Sequence, residues 1–494
     1  MRISFLGGIS EIGGNKVLLE HNGFRILLDF GKSFKNESKF FMRPYLAPFS
    51  ISDLIKLDLI PNFPGTYKWQ EGEPSIDGVL VSHAHLDHYG YVPLLKPEIP
   101  VYMGETSKII IKARQDARTS SWERKVHIES IRTFRTGSRL EIGPFQVDPI
   151  HVDHSIPGSY AFLIEAGGKR VVYTGDFRFH GQISQLSRDF VEKAQDFEPD
   201  LMIIEGTRVA PESDPEEAMI RLLEQHNIYQ SLTRPPLRVK KEAENEEGVL
   251  DEMKAVAEIA ENSLILIEAN TTDIDRLRTV WLLSKHLGRQ LIIGETQALI
   301  LKRLLEEDPR IKNLPRIGDF LLYLSRRRRE DSWEEVKEGR RRPAIRDLIS
   351  MIEDQCGPEA VIWGENRRRV AKEPNSFVIL TPNSPSTLMG ILPESGERFP
   401  ITFILSRSEP FNEELAMSFD RLLNWLAYLG VRKYYRIHVS GHVKPEELGT
   451  VISEINPEKV IPIHTSYPEL FEEYLPPALR KNINLVSLNE TLEL

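Results

Sequence analysis

The stretch Val79-Leu80-Val81-Ser82-His83-Ala84-His85-Leu86-Asp87-His88-Tyr89-Gly90 decides the fold. In it an apolar strand runs into four ligand-type side chains within six residues. At a strand end the period of two puts His83 and His85 on one side, and the turn that follows swings Asp87 and His88 toward a second point. Neutral imidazole nitrogens and carboxylate oxygens are the donors that Zn(II) and similar borderline metals take, at roughly 2.0 to 2.2 Å. Histidine fills only 13 of 494 positions. Three of them with an aspartate in this pattern should arise by chance in roughly one such chain in a couple of thousand. That rate disfavours the competing explanation, exposed loop histidines, and the motif is read as metal-binding.

A metal pair needs more ligands, and later strand ends supply candidates. His154 follows a strand ending near Ile150, and Asp176 closes Tyr173-Thr174-Gly175-Asp176-Phe177 after the strand Val171 to Tyr173. Taken singly, a histidine after a strand or a Gly-Asp turn is usually only structural; their weight comes from company. Asp29, at the end of Ile26-Leu27-Leu28, suits an acceptor that fixes a ligand imidazole from behind. Its alternative is a strand-terminal turn.

Outward from these motifs, the first 205 residues read as short strands with a few helices. Met1 to Phe5, Lys16 to His21 and Phe24 to Phe30 are consecutive strands, the last two joined by a hairpin at Asn22-Gly23. Further strands are expected at Gly78 to Val81, Val101 to Met103, Phe145 to Ile150, Tyr160 to Ile164, Arg170 to Tyr173 and Leu201 to Ile204, with helices at Tyr91 to Leu95 and Lys108 to Arg118. From Gly206 the composition turns acidic, and Arg234-Pro235-Pro236 followed by Lys240 to Gly248 reads as an exposed connection. Val249 to Glu307 then alternates helix and strand, the pattern of a second α/β lobe. Strands resume at Phe377 to Leu380, Ile401 to Leu405, Tyr435 to Val439 and Val460 to Ile463, around a helix from Asn412 to Leu429.

A length of 494 residues exceeds what one core organises, so two or three lobes are expected. The single cysteine, Cys356, excludes an intrachain disulfide and a Cys-cluster metal site. No apolar run approaches the roughly 20 residues that span a bilayer, and Met1-Arg2 leads straight into a strand, so a cytoplasmic protein without membrane association is expected. The net charge of -10 taken alone argues against a general nucleic-acid binder. Arg316 to Lys372, however, holds 14 basic and 11 acidic residues. Its runs Arg326 to Arg329, Arg340 to Arg342 and Arg367 to Arg369, with Trp333 and Trp363 nearby, suit phosphate and base contacts or, equally, solvated helix faces paired with Glu330, Asp331, Glu334 and Glu335. The glycine-rich opening Gly7-Gly8-Ile9-Ser10-Glu11-Ile12-Gly13-Gly14 lacks G-x-G-x-x-G spacing and precedes a strand, which excludes a dinucleotide fingerprint.

Asp29, His83-x-His85-x-Asp87-His88, His154 and Asp176 together resemble, in order, the first four motifs of the metallo-β-lactamase superfamily. The Gly7 to Lys16 opening and His154-Ser155-Ile156-Pro157 sharpen the resemblance to the β-CASP nucleases and, among them, to ribonuclease J. That family's motifs A, B and C are matched by Glu205 in Ile203-Ile204-Glu205-Gly206-Thr207, His442 in His438-Val439-Ser440-Gly441-His442, and His464 in Pro462-Ile463-His464-Thr465. Two departures stand out: Thr465-Ser466-Tyr467 where Gly-Glu is usual after the histidine, and Gly158 where Asp is usual.

The resemblance implies an α/β fold: a metallo-β-lactamase αββα sandwich, from residues 1–205 and 401–494, interrupted by a β-CASP cap domain at 206–400 that covers the metal cleft. It implies two divalent metal ions, Zn with Mn as the alternative. His83, His85 and His154 would hold one, Asp87, His88 and His464 the other, with Asp176 bridging. It further implies His442 as general acid oriented by Glu205, and His438, Ser440 and Gly441 as a pocket for a nucleotide phosphate. Its activity would be a ribonuclease on single-stranded RNA, 5′-to-3′ exonucleolytic with endonuclease action open, and with homodimerisation open. The chain ends 30 residues after His464, so the extra C-terminal domain of many ribonuclease J proteins is not expected. A DNA nuclease or repair factor on the same scaffold, a catalytically inactive RNA-processing scaffold and a small-molecule hydrolase are the competing readings. The complete ligand set speaks against the inactive scaffold, and the inserted lobe and the Glu205/His442 pair against the small-molecule hydrolase.

Overall fold

The hairpin forms where Asn22-Gly23 places it: β1 (Arg2–Gly7), β2 (Lys16–His21) and β3 (Phe24–Leu28) run antiparallel. Asn22 and Gly23 both take the left-handed conformation, with φ of 49° and 82°, that a two-residue turn of this kind needs. The computed structural model that shows this describes residues 1–41, 46–117, 126–211, 236–241, 243–324, 343–393, 395, 397–407 and 413–494. β4 (Gly78–Val81), β5 (Val101–Gly104) and β6 (Ile131–Phe134) continue the first sheet in parallel. A second sheet holds β7 (Leu140–Ile142), β8 (Phe145–Val152), β9 (Ser159–Ala166) and β10 (Lys169–Tyr173), antiparallel, then β11 (Leu201–Glu205), parallel to β10.

One apolar cluster joins the two sheets, with Ile3, Phe5, Leu19 and Leu28 packed with Phe145, Phe162, Ile164, Tyr173 and Ile203. A second cluster lies on the other face of the second sheet, where Val152, Val172, Met202 and Ile204 meet Phe190 of the helix Gln185–Phe197 and Val451 and Ile452 of the helix Pro445–Ile455. Ile203 enters the first cluster and its neighbours Met202 and Ile204 the second, which is why this strand reads as an unbroken apolar run. Each such side chain, fully buried, stabilises by about 1.5–3 kcal/mol. The arrangement is the expected mixed α/β sandwich.

Two compact units divide the chain: Met1–Ile111 with Ser120–Ser213 and Gly441–Leu494, and Lys112–Thr119 with Asp214–Ser440. The second unit is built on a parallel eight-stranded sheet. Its strands are β12 (Leu237–Lys241), β13 (Leu264–Glu268), β14 (Gln290–Gly294), β15 (Phe320–Tyr323), β16 (Val361–Ile362), β17 (Phe377–Thr381), β18 (Ile401–Leu405) and β19 (Lys433–Ile437), in the spatial order β12-β19-β18-β13-β17-β14-β15-β16. Helices Glu246–Glu258, Ile274–Leu287 and Glu295–Glu307 connect them, the second capped by Asp273, which accepts from Arg276 N at 2.9 Å.

Three sequence expectations change. The return to the first lobe falls at Gly441 and not at 401, because β18 pairs with β13, and β19 with β18, in the second sheet system. Within the expected connection from Arg234 to Gly248, of which 234, 235 and 242 lie outside the described residues, Leu237–Lys241 is an edge strand on β19 and Glu246 opens a helix. The basic, half-exposed sequence that reads as a linker is also how natural sheets protect an edge. The expected helix at Tyr91 to Leu95 reduces to a 3₁₀ turn, Val92–Leu94, after the helical turn Leu86–Tyr89. After Gly441 the chain adds β20 (Lys459–Ile463) beside β11 and β21 (Thr491–Glu493) beside β1, completing both sheets of the first unit. Among the described residues no helix is long and apolar enough to cross a membrane.

Candidate metal centre

The candidate ligands follow strand ends that the pairing brings into line. Asp29 follows β3, His83 to His88 follow β4, His154 follows β8, Asp176 follows β10, Glu205 ends β11 and His464 follows β20. His85 Nδ1 lies 3.0 Å from His83 Nε2 and 3.2 Å from His154 Nε2. Asp176 Oδ2 lies 3.1 Å from Nε2 of His88, 3.6 Å from that of His83, and 3.9 Å from those of His154 and His464. His464 Nε2 is 3.1 Å from Asp87 Oδ2. The seven residues fall into two groups of donor atoms, each within 4.8 Å: His83, His85, His154 and Asp176, and Asp87, His88 and His464.

This donor set fits a cation. Both oxygens of Asp176 are buried without a well-aligned hydrogen bond, and imidazole nitrogens converge on one another where no proton can serve them all. Burial, reinforced by the positive neighbour His88, holds the His83 ring well below its ordinary pKa. Burial lowers His85 to about 4 and, with His85 and His442 alongside, pushes His154 well down too. These three are therefore neutral at pH 7, the form that ligates metal. Burial opposes charge on His88, but Asp176 and Asp29 lift it well above the usual range. Burial would raise the two aspartates; His464, His88 and His442 instead pull Asp176 far down, and the His464 hydrogen bond with His88 nearby pulls Asp87 down.

Asp29 stands beside His88. Its Oδ2 accepts from His88 Nδ1 at 2.7 Å, Tyr173 OH at 2.7 Å and Ser82 Oγ at 2.8 Å, and its Oδ1 from Ser82 N at 2.7 Å. Ser82 and Tyr173 escape the sequence reading, although Tyr173 is a strand-end residue three positions before Asp176. Asp29 and His464 both have left-handed backbones, φ 57° and 53°, a conformation that costs energy and recurs at functional sites. Glu205 meets His442, its Oε2 accepting from Nδ1 at 2.9 Å, and Oε1 accepts from Phe177 N at 2.9 Å. Burial works against the charged His442 ring, but Glu205 and then Asp176, 3.7 Å away, raise its pKa.

The phosphate-pocket residues divide. Gly441 belongs to this unit, and its carbonyl accepts from His154 Nδ1 at 2.5 Å. A Cβ there would sit 2.8 Å from Ser155 Oγ, so the glycine is accounted for by the ligand loop it supports. His438 and Ser440 follow β19 in the second unit, both half-buried. The glycine-rich opening packs on the ligand turn: Gly8 O accepts from His464 N at 2.8 Å, Asp87 O from Asn15 N at 3.1 Å, and a Cβ on Gly13 would press on Asp87 at 2.7 Å. Gly158, with φ +83°, lies so close to Thr106 that a Cβ would come within 2.7 Å of it. Of the arginine runs, 326–329 and 340–342 lie outside the described residues, as does Trp333. Arg367 is buried, donates to Leu324 O at 2.5 Å and stacks over Tyr323, while Arg369 lies over Phe377. At least this part of the third run is structural.

Residues 56–228 match the family model of a beta-lactamase superfamily domain. The chain is 23% identical over 475 residues to Ribonuclease J of Helicobacter pylori (strain J99), covering 94% of this chain and 56% of that protein. It therefore spans about half the length of that relative. It is 24% identical over 501 residues to Ribonuclease J of Pyrococcus abyssi, covering 96% and 93%. A crystal structure of a protein of unknown function from Enterococcus faecalis matches 99% of both chains with a TM-score of 0.69 at 20% identity, which supports the fold.

Proposed function

We propose that this chain, a ribonuclease J-like member of the metallo-β-lactamase superfamily, is a metal-dependent ribonuclease that hydrolyses phosphodiester bonds of single-stranded RNA. The observation that carries the reading is Asp176 Oδ2, set 3.1–3.9 Å from four imidazole Nε2 atoms of two ligand groups. His83, His85 and His154 would hold one divalent cation, Asp87, His88 and His464 a second, with Asp176 shared. Zn fits this nitrogen and oxygen set, and Mn is the alternative. When bound, such a pair supplies Lewis acidity, neutralising phosphate charge and acidifying water.

The chain's own residues supply the proton. Glu205 holds His442 through Nδ1 and favours its charged form, so the imidazolium can protonate the leaving 3′-oxygen. A second reading has its own observation: Asp176, Glu205, His442 and His464 also form a group of donor atoms within 4.8 Å, which would make His442 a ligand. Metal content of His442→Ala separates the two. We read His438 and Ser440 as phosphate contacts that favour counting from a 5′ end, and the protein as cytoplasmic; homodimerisation is left to a solution mass measurement.

The test is a time course on 5′-monophosphate, 5′-triphosphate and 5′-hydroxyl RNA, labelled at the 5′ end, beside matched DNA. Mononucleotides released only from the monophosphate support 5′-to-3′ exonuclease action. Internal fragments from all three RNAs indicate an endonuclease, and faster hydrolysis of DNA overturns the substrate assignment.

A further inference from the structure

Four of the five candidate ligand imidazoles are held through the nitrogen that faces away from the centre. Asp29 serves His88, the Gly441 carbonyl serves His154, and Ser82 Oγ lies 3.0 Å from His83 Nδ1. For His464 that partner is Thr207, which has no role in the sequence reading. Thr207 Oγ1 stands 2.7 Å from His464 Nδ1 and 2.7 Å from Glu205 Oε2, and the same Oε2 holds His442. One hydroxyl therefore joins a candidate ligand to the carboxylate–histidine pair.

The direction of these bonds follows from proton counting. A hydroxyl has one proton and two lone pairs, and a carboxylate only accepts. The Thr207 proton goes to Glu205, so the oxygen can only accept from His464, which must carry its proton on Nδ1. The lone pair is then left on Nε2, the atom that faces Asp87 and Asp176. The turn is built for this approach. A Cβ on Gly206 would lie 2.3 Å from the Phe471 ring and 3.2 Å from Thr465, so a larger residue would push Thr207 away. His464 itself leaves the strand in the left-handed conformation, so strand geometry alone does not aim its ring.

We propose that Thr207 is a positioning residue: it sets the tautomer and ring direction of His464 and couples that ligand to the Glu205/His442 pair. The proposal rests on the metal-centre reading above. Thr207→Val keeps the shape and removes the hydroxyl, whereas Thr207→Ser keeps the hydroxyl. Loss of a group that orients a ligand histidine typically weakens metal binding about 10–100-fold.

The experiment titrates the full chain with Zn against a competing chelator, for wild type, Thr207→Val, Thr207→Ser, His464→Ala and Thr207→Val/His464→Ala, with circular dichroism of each metal-free chain. The expected result is two Zn equivalents in wild type, one of them weakened about 10–100-fold in Thr207→Val and restored in Thr207→Ser. In the His464→Ala background Thr207→Val should have no further effect, since the two act as one unit. Wild-type affinity at both sites in Thr207→Val, a serine variant as weak as the valine one, or an undiminished effect in the double variant would each overturn the proposal. If Thr207→Val does not fold, Thr207→Ala takes its place in the cycle. A wild-type chain that binds neither Zn nor Mn defeats the metal-centre reading itself, and the proposal with it.

Discussion

Asp29→Asn is expected to weaken one metal site selectively. The substitution is chosen because asparagine tolerates the left-handed backbone at this position, φ 57°, so the loss of charge is tested without added strain. Asp29 Oδ2 collects three donors, from His88, Tyr173 and Ser82. In asparagine the amide nitrogen faces either these three or the Ser82 backbone N–H. The two hydroxyls can rotate away, but a ring N–H cannot. If the amide nitrogen faces His88, the ring gains an acceptable contact only by giving up its Nδ1 proton and keeping one on Nε2, the atom 3.1 Å from Asp176. If it faces Ser82 instead, a buried backbone N–H is orphaned. Either way, a hydrogen bond to a charged group is lost, worth about 1.5–3 kcal/mol, and in the second orientation the orphaned buried donor adds about 1–3 kcal/mol. Chemical denaturation of the metal-free chain should therefore show at least about 1.5 kcal/mol of lost stability. Zn titration should show the Asp87/His88/His464 site weakened about 10–100-fold, with the other site close to wild type. Two sites of wild-type affinity, with unchanged stability, would make Asp29 a turn residue and refute the reasoning.

His442→Ala should keep both metals and lose about 10²–10⁴-fold in cleavage rate; loss of a metal equivalent would assign it as a ligand. Gly31→Ala should abolish metal binding, since a Cβ would lie 1.6 Å from Asp87 O and displace the ligand turn; wild-type metal content would refute that. Lys16 gives a pH dependence. Burial, only partly opposed by Glu11, lowers it from 10.5 to about 8, while it donates to Gly14 O and Gly31 O. Below about pH 8 both folded and unfolded chains hold the proton. Between there and pH 10.5 only the unfolded chain does, so this residue adds stability as pH rises, about 3 kcal/mol in all. Denaturation midpoints of wild type against Lys16→Met across that window read it; parallel curves would show that Lys16 is not depressed.

The parts of the site that the sequence discloses are local, and the parts it hides depend on sheet order. His83 to His88 can be read because one strand end and one turn place all four donors, whatever the rest of the chain does. His464 could be found only as a strand-end residue matching a family motif, and Thr207, 257 residues away from it, not at all. The misplaced lobe boundary has the same origin. β18 and β20 are both short apolar strands after a connection of mixed character, and nothing within either tells which sheet it joins. The partner decides: β18 lies beside β13, β20 beside β11. That pairing also sets how little freedom the centre has. β20 runs parallel to β11 from Leu201↔Lys459 to Glu205↔Ile463, and His464 comes one residue later. A slip of one position would turn every side chain of β20 to the opposite face, carry His464 away from Asp87 and Thr207, and bury Lys459 or Pro462 where Val460 and Ile461 now pack. The apolar clusters that hold the sandwich together thus also fix the register on which the second ligand group depends.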